Sequence, residues 1–216
     1  MKRTLLKDIF SNPEAFSGKT VRISGWAKTI RDSKSFGFIE LSDGTNFKNC
    51  QVVVSTEKLD NYDEVVKQNV GAAFEVTGTL LLTPENRQPF EISADKVVVL
   101  GTSTPDYPLQ KKRHSMEFLR EIAHLRPRTN TFNAVFRIRS EAAFAIHSFF
   151  NEKGFVYVHT PIITGSDCEG AGAMFQVTTL DLKNVPKDKD GNVDYKKDFF
   201  GKPASLTVSG QLSAET

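Results

Sequence analysis

Gly154-Phe155-Val156-Tyr157-Val158-His159-Thr160-Pro161-Ile162-Ile163-Thr164, followed by Gly165-Ser166-Asp167-Cys168-Glu169-Gly170-Ala171-Gly172-Ala173-Met174-Phe175, is the stretch on which the reading of this chain turns. Gly154 is a helix stop. The β-branched and aromatic run after it predicts a strand ending at a buried Pro161, because proline cannot donate to the next rung of a ladder. The loop beyond carries Glu169 among glycines and alanines, which let backbone approach a ligand closely. On these residues alone the segment fits an ordinary helix-to-strand connection as well as a ligand loop.

Upstream, Phe132, Val135, Phe136, Ala143, Ile146 and Phe150 recur at helical spacing and predict a helix from Thr131 to Lys153. His147 lies near that stripe with no nucleophile arrangement around it. Arg126 and Arg128 flank Pro127, which breaks any helix there. They are expected to serve a hinge or to pair with local acids. Pro105 to Pro108 begins a turn-rich linker that runs into Lys111-Lys112-Arg113-His114, a solvated basic surface or a phosphate contact.

The first hundred residues alternate with period two, the mark of half-buried strands. Val21, Ile23 and Ala27 alternate with Arg22, Ser24 and Trp26. Ile39 and Leu41 alternate with Phe36, Phe38 and Glu40, and Val52 and Val54 with Gln51 and Val53. A short helix over 61–69 precedes strands begun by Phe74, Val76 and Leu80, then by Phe90 and Ile92. Five short strands with a helix between the third and fourth match the OB-fold, a five-stranded barrel that binds oligonucleotides. Burying Ile39, Val52 and Phe90 turns Phe36, Phe38, Gln51 and Glu91 the other way. Aromatics on such a face stack unpaired bases and polar groups read base edges, with Lys28, Arg31 and Lys34 near enough to hold phosphates. The same phenylalanines also fit a role packed under the loops of a small barrel. Both readings stand on the alternation alone.

Composition narrows the class. The chain has 216 residues, 39% hydrophobic and 25% charged, and a formal net charge of +2. Nucleic-acid contact must therefore rest on local clusters rather than a global basic field. No apolar run is long enough to span a bilayer, and the start has an early acid and no apolar core like that of a secretory signal. Cys50 and Cys168 lie far apart, which argues against a disulfide framework or a zinc site and for a reducing, cytoplasmic setting. Asp188-Lys189-Asp190-Gly191-Asn192 opens like a calcium loop, but its twelfth position is Phe199, so a polar turn of an inserted hairpin is the better reading. No metal site is expected.

Three further segments complete a pattern: Lys112 through Thr129, Asp198-Phe199-Phe200-Gly201-Lys202, and Leu206-Thr207-Val208-Ser209-Gly210-Gln211-Leu212. With the Gly154–Phe175 stretch they resemble the class II aminoacyl-tRNA synthetases that charge aspartate, asparagine and lysine. The resemblance runs from about Thr20 to the last residue. Its wording is nearest the bacterial asparaginyl-tRNA synthetase family, although aspartyl enzymes share the layout.

That resemblance implies an OB-fold anticodon-binding domain over 1–104, a hinge over 105–130, and over 131–216 the start of a class II antiparallel-sheet catalytic domain. It implies that Phe38 stacks a base, that Gln51 and Glu91 read base edges, and that Lys28 and Arg31 hold the tRNA backbone. It puts Glu169, Ser209 and Gln211 on the amino acid, and Phe155 to Pro161 in a homodimer interface. Aspartyl enzymes place a lysine after the Gln-Leu step. Here Ser213, Ala214 and Glu215 bring no cation, and Glu215 can accept from an amide, which favours asparagine over aspartate. The implied partners are tRNA(Asn), asparagine and ATP with Mg²⁺, in the cytoplasm and away from membranes. Ala173, Gln176 and Ser213 depart from the family pattern, and the first two put the loop's paired charge in doubt. The family's second and third motifs, which carry its ATP-binding arginines, do not occur in the 216 residues. The expectation is an N-terminal fragment with no catalytic residue of its own and no bound cofactor. The alternatives are an aspartyl enzyme of relaxed tRNA choice, or a noncatalytic barrel that binds tRNA or single strands.

Overall fold

The computed structural model describes residues 2–86, 88–167, 170 and 174–215. Its contacts divide the chain into two compact units, Met1–Ala142 and Ala143–Thr216.

The first unit holds α1 (Leu6–Ser11), β1 (Thr20–Asp32), β2 (Phe36–Ser42), β3 (Cys50–Ser55), α2 (Tyr62–Val66), β4 (Ala73–Leu82) and β5 (Phe90–Gly101). The five strands close into a barrel in the order β1-β2-β3-β5-β4, which is the OB-fold expected from the alternation. β1 is long enough to pair twice, with β4 over Thr20–Trp26 and with β2 over Trp26–Asp32. Closure requires the sheet to bend sharply, and three register slips provide the bends, one of them between Ala73 and Phe74. Another lies between Ala27 and Thr29, a bulge centred on Lys28. The third lies between Thr77 and Gly78, where a Cβ at Gly78 would sit 2.2 Å from the Ser93 carbonyl oxygen. Only glycine fits so close an approach.

The inward phase is the one the sequence predicts. Ile23, Ile39, Leu41, Val52, Val54, Phe74 and Ile92 are fully buried, each worth roughly 1.5–3 kcal/mol of transfer from water. α1 adds Leu6 and Ile9 to that core. Its first turn is capped from across the chain: Asp43 Oδ2 accepts from the Leu6 N–H at 2.8 Å, while Oδ1 accepts from the Thr45 N–H and hydroxyl. α2 is shorter than the expected 61–69 and buries Tyr62 and Val65. The Tyr62 hydroxyl donates to Asp32 at 2.6 Å. Burial first, then this bond, pushes the phenol up to about 12, and the same bond holds the Asp32 carboxyl below its usual range.

The barrel's unit does not stop at residue 104. α3 (Met116–Glu121) is capped by the Ser115 hydroxyl and buries Leu119. A single tight turn over Arg126–Arg128 then leads into α4 (Asn130–Glu152). The expected pairing of Arg126 and Arg128 with acids is not found among the described residues. Arg126 lies over the Phe132 ring at 4.7 Å, and Arg128 lies over Trp26 at 4.6 Å and donates to the Tyr107 hydroxyl. A guanidinium stacked on a ring keeps its charge and buries its flat face. These contacts tie the segment after the barrel into the first unit as far as Ala142.

In the second unit, β6 (Ile163–Thr164) pairs with β7 (Ser205–Leu206), and α5 (Gln211–Ala214) follows. Two expectations are corrected here. The strand from Phe155 to Pro161 is absent: Phe155 and Val156 are 63% and 84% exposed, and the first rung falls beyond the proline, at Ile163. Strand backbone needs a ladder partner for its N–H and C=O groups, and no described residue supplies one. Pro161 is exposed rather than buried. The apolar stripe of α4 buries no residue. By contrast, the polar hairpin reading of 188–192 holds, with Lys187 bridged to Val193 and Gly191 at φ 85°.

Asp198 organises this unit, and the sequence reading did not single it out for that. Its carboxylate accepts from the Thr178 hydroxyl at 2.6 Å, from both the N–H and hydroxyl of Thr179, and from the Phe199 N–H. Those bonds, led by the Thr178 hydroxyl, pull its pKa down to about 2.

Candidate nucleic-acid interface

The outward phase of β2, β3 and β5 opens on a cavity of about 590 Å³. Phe38, Gln51, Glu91 and Arg31 all line it. Phe38 is half-buried, set edge-on to Phe36 with centroids 5.5 Å apart, and the Arg31 guanidinium lies 5.5 Å from its ring. Gln51 donates its amide to Glu91 Oε2 at 3.2 Å. That bond orients both side chains, leaving the Gln51 carbonyl and the second Glu91 oxygen as acceptors beside the ring. A flat π-face, two acceptors and a cation are what a single unpaired nucleotide needs for stacking, edge recognition and charge.

Two of the expected basic residues are elsewhere. Lys28 does not line this cavity, and its ammonium donates to the Arg128 carbonyl. Lys34 sits in the β1–β2 turn at φ 72° and does not line the cavity. The cavity also holds side chains that were not singled out. Glu40 accepts from Asn49 at 2.8 Å and from the Thr29 hydroxyl, and Gln88 accepts from the Gln51 N–H at 3.0 Å. Glu40 shares the outward phase of Phe38, so its side of the sheet was legible. Its tie to Asn49 depends on a loop whose course the alternation does not encode.

In the second unit a cavity of about 340 Å³ is lined by Pro161, Gly165, Lys202, Thr207, Ser209 and Ser213, among others. Ser209 thus reaches a cavity, while Gln211 and Glu215 do not line it. The Gln211 amide donates to Glu215 at 2.6 Å, one helical turn on, and the Ser209 hydroxyl accepts from the Gln211 N–H. Glu169 and Ala173 lie outside the described residues. Among the described residues no cluster of three His, Cys, Asp or Glu could hold a metal ion. The cavity offers a nucleotide phosphate one cation, Lys202, and no arginine. These residues do not make a site for ATP with Mg²⁺.

The fold and the open face define a class. Residues 21–100 match the family described as OB-fold nucleic acid binding domain, and residues 115–212 match tRNA synthetases class II (D, K and N). The two matches lie one after the other along the chain and together span most of it. The chain's particular likeness is to asparagine–tRNA ligases. That of Clostridium kluyveri is 62% identical over 216 residues, covering 100% of this chain and 46% of the relative. That of Acetivibrio thermocellus is 60% identical, covering 100% and 47%. The crystal structure of asparaginyl-tRNA synthetase from Pyrococcus horikoshii, complexed with asparaginyl-adenylate, matches with a TM-score of 0.77 at 21% identity. That match covers 99% of this chain and 44% of that one, and it shows a shared fold. The chain spans about half the length of the curated relatives it matches.

Proposed function

We propose that this chain forms the tRNA-reading part of an asparagine–tRNA ligase, which activates asparagine with ATP and transfers it to tRNA(Asn). The observation that carries the reading is the meeting of Phe38, Gln51, Glu91 and Arg31 in one cavity on the open barrel face. Phe38 stacks an anticodon base. Glu91 accepts from a base N–H, Gln51 bonds a neighbouring edge atom, and Arg31 neutralises the adjoining phosphate. The likeness to asparagine–tRNA ligases at 60% identity and above supports asparagine over aspartate. Ser209 and Glu169 are assigned to the amino acid, with Gln211 and Glu215 acting as a linked pair. ATP with Mg²⁺ would supply the adenylyl group that activates the asparagine carboxylate, with pyrophosphate leaving. The exposed run from Phe155 to Pro161 suits a homodimer contact. The cytoplasm is the proposed setting, and no helix among the described residues is long and apolar enough to cross a membrane.

The test is binding of the tRNA(Asn) anticodon stem-loop to the 216-residue chain at fixed salt. Phe38→Ala is expected to weaken binding by about 1–3 kcal/mol, the loss of one base stack, with the melting temperature unchanged. An unaltered dissociation constant would reject the stacking role. Equal affinity for the tRNA(Asp) and tRNA(Asn) stem-loops would remove the barrel's part in choosing between them.

A further inference from the structure

A second cavity, of about 710 Å³, lies wholly within the first unit, between β1 and the segment that follows the barrel. Its size falls in the range of small-molecule sites, which run from about 300 to 1,000 Å³. Its charge is one-sided. Lys28, Lys112, Arg128 and Arg137 line it, and no aspartate or glutamate does.

Three of these cations are held by neutral acceptors. Lys28 donates to the Arg128 carbonyl, Arg128 to the Tyr107 hydroxyl at 3.2 Å, and Arg137 to Asn133 Oδ1 at 2.7 Å and to the Gly44 carbonyl. Among the described residues none of the four is in an ion pair with a carboxylate. Hydrogen bonds to neutral groups fix a cation's position without cancelling its charge. Lys28 is half-buried among them. Burial, followed by the Arg128 charge, lowers its pKa, with the Glu40 carboxylate opposing. Beside the cations stands a flat stack, the Arg128 guanidinium over the Trp26 indole at 4.6 Å. Guanidinium planes and aromatic rings are the two surfaces on which planar heterocycles stack.

We propose that this cavity binds a small planar organic anion of the nucleoside monophosphate class, its phosphate among Lys28, Arg128 and Arg137 and its ring against the Arg128–Trp26 stack. Lys28 stands two residues after Trp26 on β1, with buried Ala27 between them, so alternation brings both side chains to this cavity. The site is distinct from the anticodon face, and its existence does not depend on the tRNA assignment.

Trp26 is the only tryptophan of the chain, so its emission reports on this cavity alone. Titrating adenosine 5′-monophosphate into the 216-residue chain is expected to give a saturable change whose apparent affinity falls as salt is added. Adenosine and inorganic phosphate separately should bind at least roughly tenfold more weakly, as should the nucleotide to Arg137→Gln and Lys28→Gln, each charged contact being worth that much. Melting curves of both variants establish that they fold. The anticodon stem-loop should not displace the nucleotide. No saturable change, or undiminished affinity in a folded Arg137→Gln, would overturn the proposal. So would displacement by the stem-loop, which places the nucleotide on the other face. A Trp26 response to tRNA with none to the mononucleotide would assign the cavity to a nucleic-acid backbone and equally overturn it.

Discussion

The barrel closes on itself, and the unit after Ala142 does not. Each barrel strand has a neighbour on both sides, while β6 and β7 have only each other among the described residues. The barrel buries an apolar core of some twenty side chains. The second unit buries Ala204 and Asp198. Closure forces side chains into two phases and gives both a purpose, one for the core and one for the ligand. Without closure, apolar sequence gives no inside, so the run from Phe155 to Val158 lies open to solvent. A region organised by apolar burial should fail by overpacking. One organised by a single polar knot should fail by protonation.

The largest effect is expected at the barrel's tightest point. Gly78→Ala places a methyl against the Ser93 carbonyl and Ala94 Cα. We expect a loss of about 3 kcal/mol or more, at the upper end of ordinary overpacking, read as a fall in the urea midpoint followed by Trp26 emission. A loss below 1 kcal/mol, by the scale of typical surface changes, would mean that β4 and β5 can separate there and that closure is looser than described. Asp43→Ala should cost less, about 1–3 kcal/mol, through stranded donors at Leu6 and Thr45. The same urea titration checks it. An unchanged midpoint would detach α1 from the core's stability.

The smallest effect belongs to the second unit. The Asp198 carboxyl is drawn from an ordinary 3.8 down to about 2. A depressed carboxyl stabilises the folded form above its ordinary value, and that contribution fades as pH falls toward the folded value. The protection of the Thr179 amide, taken against an unstructured amide at the same pH, should therefore fall between about pH 4 and pH 2, and Asp198→Asn should abolish that fall. A flat profile in the unaltered chain would show that the Thr178 and Thr179 bonds do not hold this unit together.

The barrel was legible because alternation is a local signal that closure then obeys. Ile39 and Phe38 could be assigned to opposite faces from their neighbours alone. The register slip at Lys28 could not be read that way, because a bulge leaves no mark in composition. The strand expected at Phe155 misled for the opposite reason. Its β-propensity is real, but pairing depends on residues distant in sequence. Of the candidate site, Phe38, Gln51 and Glu91 followed from phase and Arg31 from its nearness in sequence, whereas Glu40–Asn49 and Gln88–Gln51 depend on loop paths. The Gln211–Glu215 bond joins two residues that were given separate roles. Their four-residue spacing fits one turn of helix, but that segment carried no helical pattern to prompt the pairing.

Parallel pairing of β3 with β5, described over Val52↔Ile92 and Val53↔Ser93, is the seam where the barrel shuts. The Gln51–Glu91 bond and the Gln88 contact to the Gln51 N–H reinforce it from the ligand side. A ring's shortest joint is where it opens first, so the amides of this seam set the barrel's threshold for local opening. Any molecule that grips Gln51 and Glu91 together acts as a clasp across that joint. Anticodon recognition would then be recorded as slower hydrogen exchange in residues the RNA never touches.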